Sequence, residues 1–156
     1  MLTRLGMAVS LFLFLTACGD MDVVDEHYAD GTQARRAPGS ATWLPEWVPA
    51  TAENIHDVHN TDTGQQTLRF TVPLRAVDLM VSNLKPLVID GRDATRALAA
   101  ALDWDTRSDH AVKAYIDCDR HKGVLFVDYA MGRALFRHGG ESATKSCPER
   151  EVLNSR

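Results

Sequence analysis

Apolar and polar residues alternate with different periods along this 156-residue chain. The segment from Gly6 to Leu15 carries no ionisable side chain and follows a single charged one, Arg4. From Gly19 to about Thr42 no apolar period is sustained, and Asp20, Asp22, Asp25, Glu26 and Asp30 precede Arg35 and Arg36. A stretch of that kind buries too little surface to offset the ordering of its backbone, so it is expected to be a flexible tether. Trp43-Leu44-Pro45-Glu46-Trp47-Val48-Pro49 follows, two aromatics and two prolines that disfavour regular structure. It is expected to cross the body in extended form with its indole rings packed down. Thr51 to Asn54 suggests a short helical turn.

Ile55 to Asn60 reads as a weak strand, Thr61-Asp62-Thr63-Gly64 as a turn, and Thr67 to Val72 as a half-buried strand with Leu68, Phe70 and Val72 on one face. Together they predict a hairpin. Pro73 opens a helical pattern through Leu74, Val77, Val81 and Leu84, running to about Asn83 before Lys85-Pro86 ends it. A second, alanine-rich helix is expected from Ala94 to Leu102, with Asp93 as its N-cap. The period then returns to two. His110 to Cys118, Val124 to Tyr129 and Ala134 to Arg137 predict three strands joined by short turns, hence a meander. The expected fold is α+β over residues 43–156: a small antiparallel sheet, N-terminal hairpin plus C-terminal meander, with two helices packed on one face.

The N-terminal apolar run is about a dozen residues, whereas a helix needs roughly 20 to cross a bilayer. Charge followed by a short apolar run is the layout of an export signal. Leu15-Thr16-Ala17-Cys18 directly after it resembles the bacterial lipobox. The resemblance implies that residues 1–17 are a lipoprotein signal peptide, that cleavage precedes Cys18, and that Cys18 carries diacylglycerol and an N-acyl chain. Two or three such chains hold a protein stably on a bilayer, since each buried CH₂ contributes about 0.8 kcal/mol. Residues 18–42 then form the lipidated tether. Gly19-Asp20 lacks an Asp directly after the Cys, so the outer membrane is favoured over the inner, with the domain facing the periplasm. Removing residues 1–17 takes away one arginine and no acid, which moves the net charge from −4 to −5. An acidic domain without clustered Lys and Arg excludes nucleic acid as a partner.

With Cys18 acylated, Cys118 and Cys147 are an even pair in an oxidising compartment and are expected to form a disulfide. Closing a loop of that size constrains the unfolded chain by roughly 3.5 kcal/mol. A cysteine nucleophile and two free buried thiols are the competing readings.

His56, Asp57, His59 and Asp62 form the densest cluster of potential metal ligands or acid–base groups. On a helix His56 and His59 would share a face and could begin a zinc site; on a strand, positions three apart point to opposite faces. No metal site is therefore assigned, with His56, His59 and Asp62 as the weak candidates. His110, His121 and His138 are scattered. Asp103 and Asp105, and Asp117 and Asp119, are paired carboxylates that read as loop acids. There is no glycine-rich phosphate loop and no Gly-x-Ser-x-Gly elbow, so no cofactor and no catalytic residue is assigned.

Leu44-Pro45, Ala52, Asn54-Ile55-His56, Asp62-Thr63 and Arg69-Phe70 together resemble the opening of small envelope lipoproteins of Gram-negative bacteria. That group includes candidate immunity lipoproteins that neutralise secreted antibacterial effectors. The resemblance implies a lipid-anchored periplasmic domain that binds a protein partner, an immunity or inhibitor protein among the possibilities. The alternative is a small envelope enzyme or metal-binding protein using His56, His59 and Asp62.

Overall fold

The computed structural model describes residues 22–88 and 112–138 together with Cys147. In chain order the elements are β1 (Val23–Asp30), α1 (Gly31–Arg36), α2 (Ser40–Trp43), β2 (Glu53–Asn60), β3 (Gln66–Thr71), α3 (Leu74–Val81), β4 (Lys85–Leu87), β5 (Val112–Asp117), β6 (Gly123–Asp128) and β7 (Arg133–His138). All seven strands join one antiparallel sheet in the order β1-β2-β3-β7-β6-β5-β4.

This corrects the α+β expectation. The β2–β3 hairpin and the β5–β6–β7 meander both form, but β7 pairs along the whole of β3, so they are halves of one sheet. The described helices are short, and only α3 matches a predicted one. The second predicted helix, Ala94 to Leu102, lies outside the described residues, as do the signal segment and Cys18. Lys85-Pro86, taken as a helix stop, also begins the short edge strand β4, where proline's missing N–H is tolerated.

The expected tether is corrected as well. Val24, Glu26, Tyr28 and Asp30 are half-buried while Val23, Asp25, His27 and Ala29 are exposed, so β1 obeys the two-residue period of a strand although charge conceals it from a hydrophobicity count. Its last residue caps the next element: the Asp30 carboxylate accepts the Gln33 N–H at 2.8 Å, and Gln33 Oε1 accepts the Ala29 N–H at 2.7 Å. Gly31 is required because a Cβ there would lie 2.2 Å from Pro49 O. The body therefore extends back at least to Val23 and includes most of residues 18–42. Between Ala50 and Asn54 a turn replaces the expected helical one, and β2 starts at Glu53 with a bulge at Asn54, whose φ is 52°.

The main core lies on one face of the sheet. Ile55, Leu68, Phe70, Leu125, Val127, Ala134 and Phe136 meet Ala34, Leu44, Val48 and Ala52 from the segment before β2, and Val77, Met80 and Val81 from α3. Trp47 meets Phe136 edge-on at 5.2 Å between ring centroids, which bears out the packing of that indole. In β5 the two faces are less distinct than the alternation implies, because Ala114 and Ile116 on one and Tyr115 and Asp117 on the other are all buried. A disulfide joins Cys118, just after β5, to Cys147 across 29 residues, as the cysteine count predicted.

Gly123 shows how tightly the main face is filled. A Cβ added there would meet the Phe136 ring at 2.3 Å and Arg137 O at 2.6 Å, and the ring is held by Trp47. Gly123→Ala is expected to lower unfolding free energy by about 3 kcal/mol, at the upper end of ordinary overpacking costs. Urea unfolding followed by fluorescence checks it; an unchanged midpoint would show that the ring has room to move.

Candidate functional site

The β1–β2 ribbon carries the densest collection of chemically capable side chains among the described residues. Antiparallel register sets His27 opposite His56, Glu26 opposite Asp57 and Asp25 opposite Val58. Because side chains alternate across a strand, these residues divide between the two faces of the sheet.

On the outer face, Asp25 Oδ1 lies 2.8 Å from His56 Nε2 and 3.4 Å from His27 Nε2. The two imidazoles stack at 4.0 Å between centroids and 14° between planes. Asp25 and His27 are exposed, and His56 is half-buried.

On the inner face, Glu26, Asp57 and His59 bring one ligand atom each to within 4.8 Å of one another. Asp57 and His59 are only 4 % and 5 % exposed. Each member is positioned by a neighbour. Gln66 Nε2 donates to Asp57 Oδ1 at 2.8 Å and also to the carbonyl of Trp43 at 2.8 Å. The Tyr28 hydroxyl donates to Glu26 Oε2. The Trp43 indole stacks on the His59 ring at 4.1 Å. His59 Nδ1 lies 3.3 Å from Asp57 Oδ2 but is not aligned for a hydrogen bond, and this buried nitrogen has no hydrogen-bond partner among the described residues.

These groups border a cavity of about 170 Å³, with Val24, Tyr28, Pro38, Ser40 and Leu44 completing much of its wall. Among the described residues no Lys or Arg lines it. Burial pushes the Asp57 carboxyl above its usual range, and Glu26 pushes in the same direction; the Gln66 bond and His59 oppose them without prevailing. Burial also raises the Tyr28 phenol, with its bond to Glu26 adding to the effect. Both groups are thus held toward their neutral forms.

The sequence candidates are distributed rather than gathered. His56 belongs to the outer cluster and His59 to the inner one, as a strand requires, and Asp62 is exposed in the β2–β3 turn, where its N–H donates to Asn60 Oδ1. The trio His56, His59 and Asp62 therefore does not converge. The partners that sequence reasoning missed are Asp25, Glu26, His27 and Tyr28, all in the segment assigned to the tether. Two signals could have found them: the alternation of β1 and the Asp30-x-x-Gln33 cap that follows.

Elsewhere among the described residues, Asp117 and Asp128 have structural roles. Trp47 Nε1 donates to Asp117 Oδ2 at 2.8 Å, and the Asp119 N–H donates to Asp117 Oδ1 at 2.9 Å, so Asp117 anchors the indole and its own turn. Burial holds His121 and His138 below the usual histidine range although Asp117 pulls both upward. Burial works to raise the Asp128 carboxyl too, yet bonds from Arg133 and from the Ala130 and Met131 N–H groups hold it low. His110, Asp103 and Asp105 lie outside the described residues.

A buried carboxyl with a raised pKa costs stability once it must ionise. Below its unfolded pKa both states carry the proton and there is no difference; as pH rises through the folded pKa, the native state pays for a charge that the unfolded chain holds freely. Asp57→Asn keeps the shape and the oxygen that Gln66 contacts. It is expected to be more stable than the parent at pH 7 in metal-free buffer, with the difference vanishing below about pH 4. Denaturation midpoints between pH 3.5 and 8 check this; an Asn variant less stable at pH 7 would mean that the ionised carboxylate is well compensated.

No curated protein and no solved structure matches the chain. Residues 22–71 are similar to the YbbD head domain family, a match that runs from the residue before β1 to the end of β3 and so takes in every member of both clusters.

Proposed function

We propose that this chain is a lipid-anchored envelope protein whose folded domain binds a protein partner in the periplasm, with inhibition of an envelope-directed effector as the specific role. The observation that carries the reading is the edge strand β1. It closes one end of the sheet, runs for eight residues, and bears Asp25, Glu26 and Asp30 against the single base His27. An edge strand offers unpaired backbone groups to an incoming strand, and flanking charge discourages indiscriminate pairing. An acidic edge favours a partner whose strand brings Lys or Arg.

The anchor adds position. Val23 is five residues beyond Cys18, a span of at most about 17 Å when fully extended. With Cys18 acylated, β1 stands close to the bilayer instead of swinging on a long leash. The outer membrane is the favoured site because Gly19, not Asp, follows the Cys.

A photo-cross-linking residue at Ala29, exposed on β1, tests the reading in cells, with one at Arg75 on α3 as control. A discrete protein adduct is expected from Ala29 and not from Arg75, and its yield should fall in Asp25→Lys. Cys18→Ser should move the chain out of the membrane fraction. Equal labelling from both positions, or none from β1, contradicts the binding role, and a Cys18→Ser chain that still sediments with membranes contradicts the anchor.

A further inference from the structure

We propose that Glu26, Asp57 and His59 form a divalent transition-metal site, with zinc as the ion that best fits it. The site is distinct from any protein contact made by the outward edge of β1, because its ligands face the covered side of the sheet.

Four observations point the same way. Two carboxyl groups stand directly opposite each other across antiparallel strands, an arrangement that is unfavourable while both are ionised and that a bound cation would relieve. Among the described residues, the cavity they border has no Lys or Arg in its wall. The nearest basic group, His59, holds its buried Nδ1 at 3.3 Å from Asp57 Oδ2, and that nitrogen has no well-aligned hydrogen bond among the described residues. Finally, the two carboxyl groups are held by hydrogen bonds, Asp57 by Gln66 and Glu26 by Tyr28, which is the outer-shell support that ligating carboxylates generally have, and the His59 ring is packed against Trp43.

The geometry suits a small ion. Bonds of about 2.0–2.2 Å to carboxylate oxygen and imidazole nitrogen place tetrahedral ligands roughly 3.3 Å apart. Asp57 Oδ2 and His59 Nδ1 already stand at 3.3 Å, and the three ligand atoms all lie within 4.8 Å of one another. Three protein ligands leave a fourth position facing the cavity. One imidazole and two carboxylates are a borderline-to-hard set, which suits zinc and accepts cobalt as a spectroscopic substitute.

The outer cluster is the natural comparison, and it lacks these properties. Asp25 already serves both histidines, solvent compensates the charges, and the imidazole planes are nearly parallel and 4.0 Å apart. A metal lying in the plane of one ring is therefore far out of the plane of the other.

The test uses the full chain, carrying no oligohistidine tag and purified in detergent, with Zn²⁺ followed by calorimetry and Co²⁺ by its d–d absorption. One equivalent is expected to bind, to raise the melting temperature and to give the intense bands of a low-coordinate cobalt site. Gln66→Ala should weaken binding about 10- to 100-fold. Asp57→Asn should weaken it further and lose the metal-dependent rise in melting temperature while remaining folded. The double variant His27→Ala/His56→Ala should bind as the parent does. Absence of stoichiometric uptake by the parent overturns the proposal. So does uptake that survives Asp57→Asn, or that disappears in the His27/His56 variant.

Discussion

The alternation of side chains across β2, with one face of the sheet sealed by packed residues, governs most of what this molecule presents. Ile55, Asp57 and His59 must go under the covering segment because they share a face, and His56, Val58 and Asn60 must go outward. Slipping the register by one residue would exchange these sets, sending Ile55 to water and His56 into the core. The core residues around Ile55, Leu68 and Phe136 therefore hold Asp57 and His59 in a dry position that neither polar group would take alone. The pairing of β1 on β2 completes the arrangement by setting Glu26 over Asp57 and His27 over His56.

A buried acid beside a second acid works against stability, and the surrounding structure does little to relieve it. Gln66 and His59 lower the Asp57 pKa, but burial and Glu26 prevail. Asp128 gives the contrast within the same sheet. It is as deeply buried, yet Arg133 and two backbone N–H groups hold its carboxyl below the ordinary range. The same residue type is fully compensated where it closes the β6–β7 turn and only partly compensated where it borders a cavity. Incomplete compensation of a buried acid is common at sites that meet a ligand, and it separates Asp57 from the structural acid Asp128.

Much of the sheet could be read from residue patterns. Leu68, Phe70 and Val72 alternate cleanly, and the α3 helix and the β5–β6–β7 meander follow from spacing and short turns. The cysteine pair followed from removing Cys18 from the count. Three things were hidden. The alternation in β1 is carried by Glu26, Tyr28 and Asp30 where a hydrophobic pattern would carry aliphatics, so it resembled a solvated acidic stretch. The β3–β7 pairing that merges hairpin and meander is a long-range contact with no local signature. The inner cluster draws Glu26 and Asp57 from strands that are distant in the chain, and with β1 unrecognised the search for ligands stopped at His56, His59 and Asp62. The opposite facing of His56 and His59, by contrast, followed directly from reading β2 as a strand.

The site, the acidic edge and the nearness of the fold to Cys18 all require that Val23–Asp30 be a strand of the sheet and not a tether. Hydrogen–deuterium exchange resolved along β1 measures this directly. The β1 amides that bond to β2 should exchange at least about 100-fold more slowly than an unstructured chain, with the outward-facing amides of the same strand exchanging fast. Uniformly fast exchange from Val23 to Asp30, beside slow exchange in β2 and β3, would contradict the account.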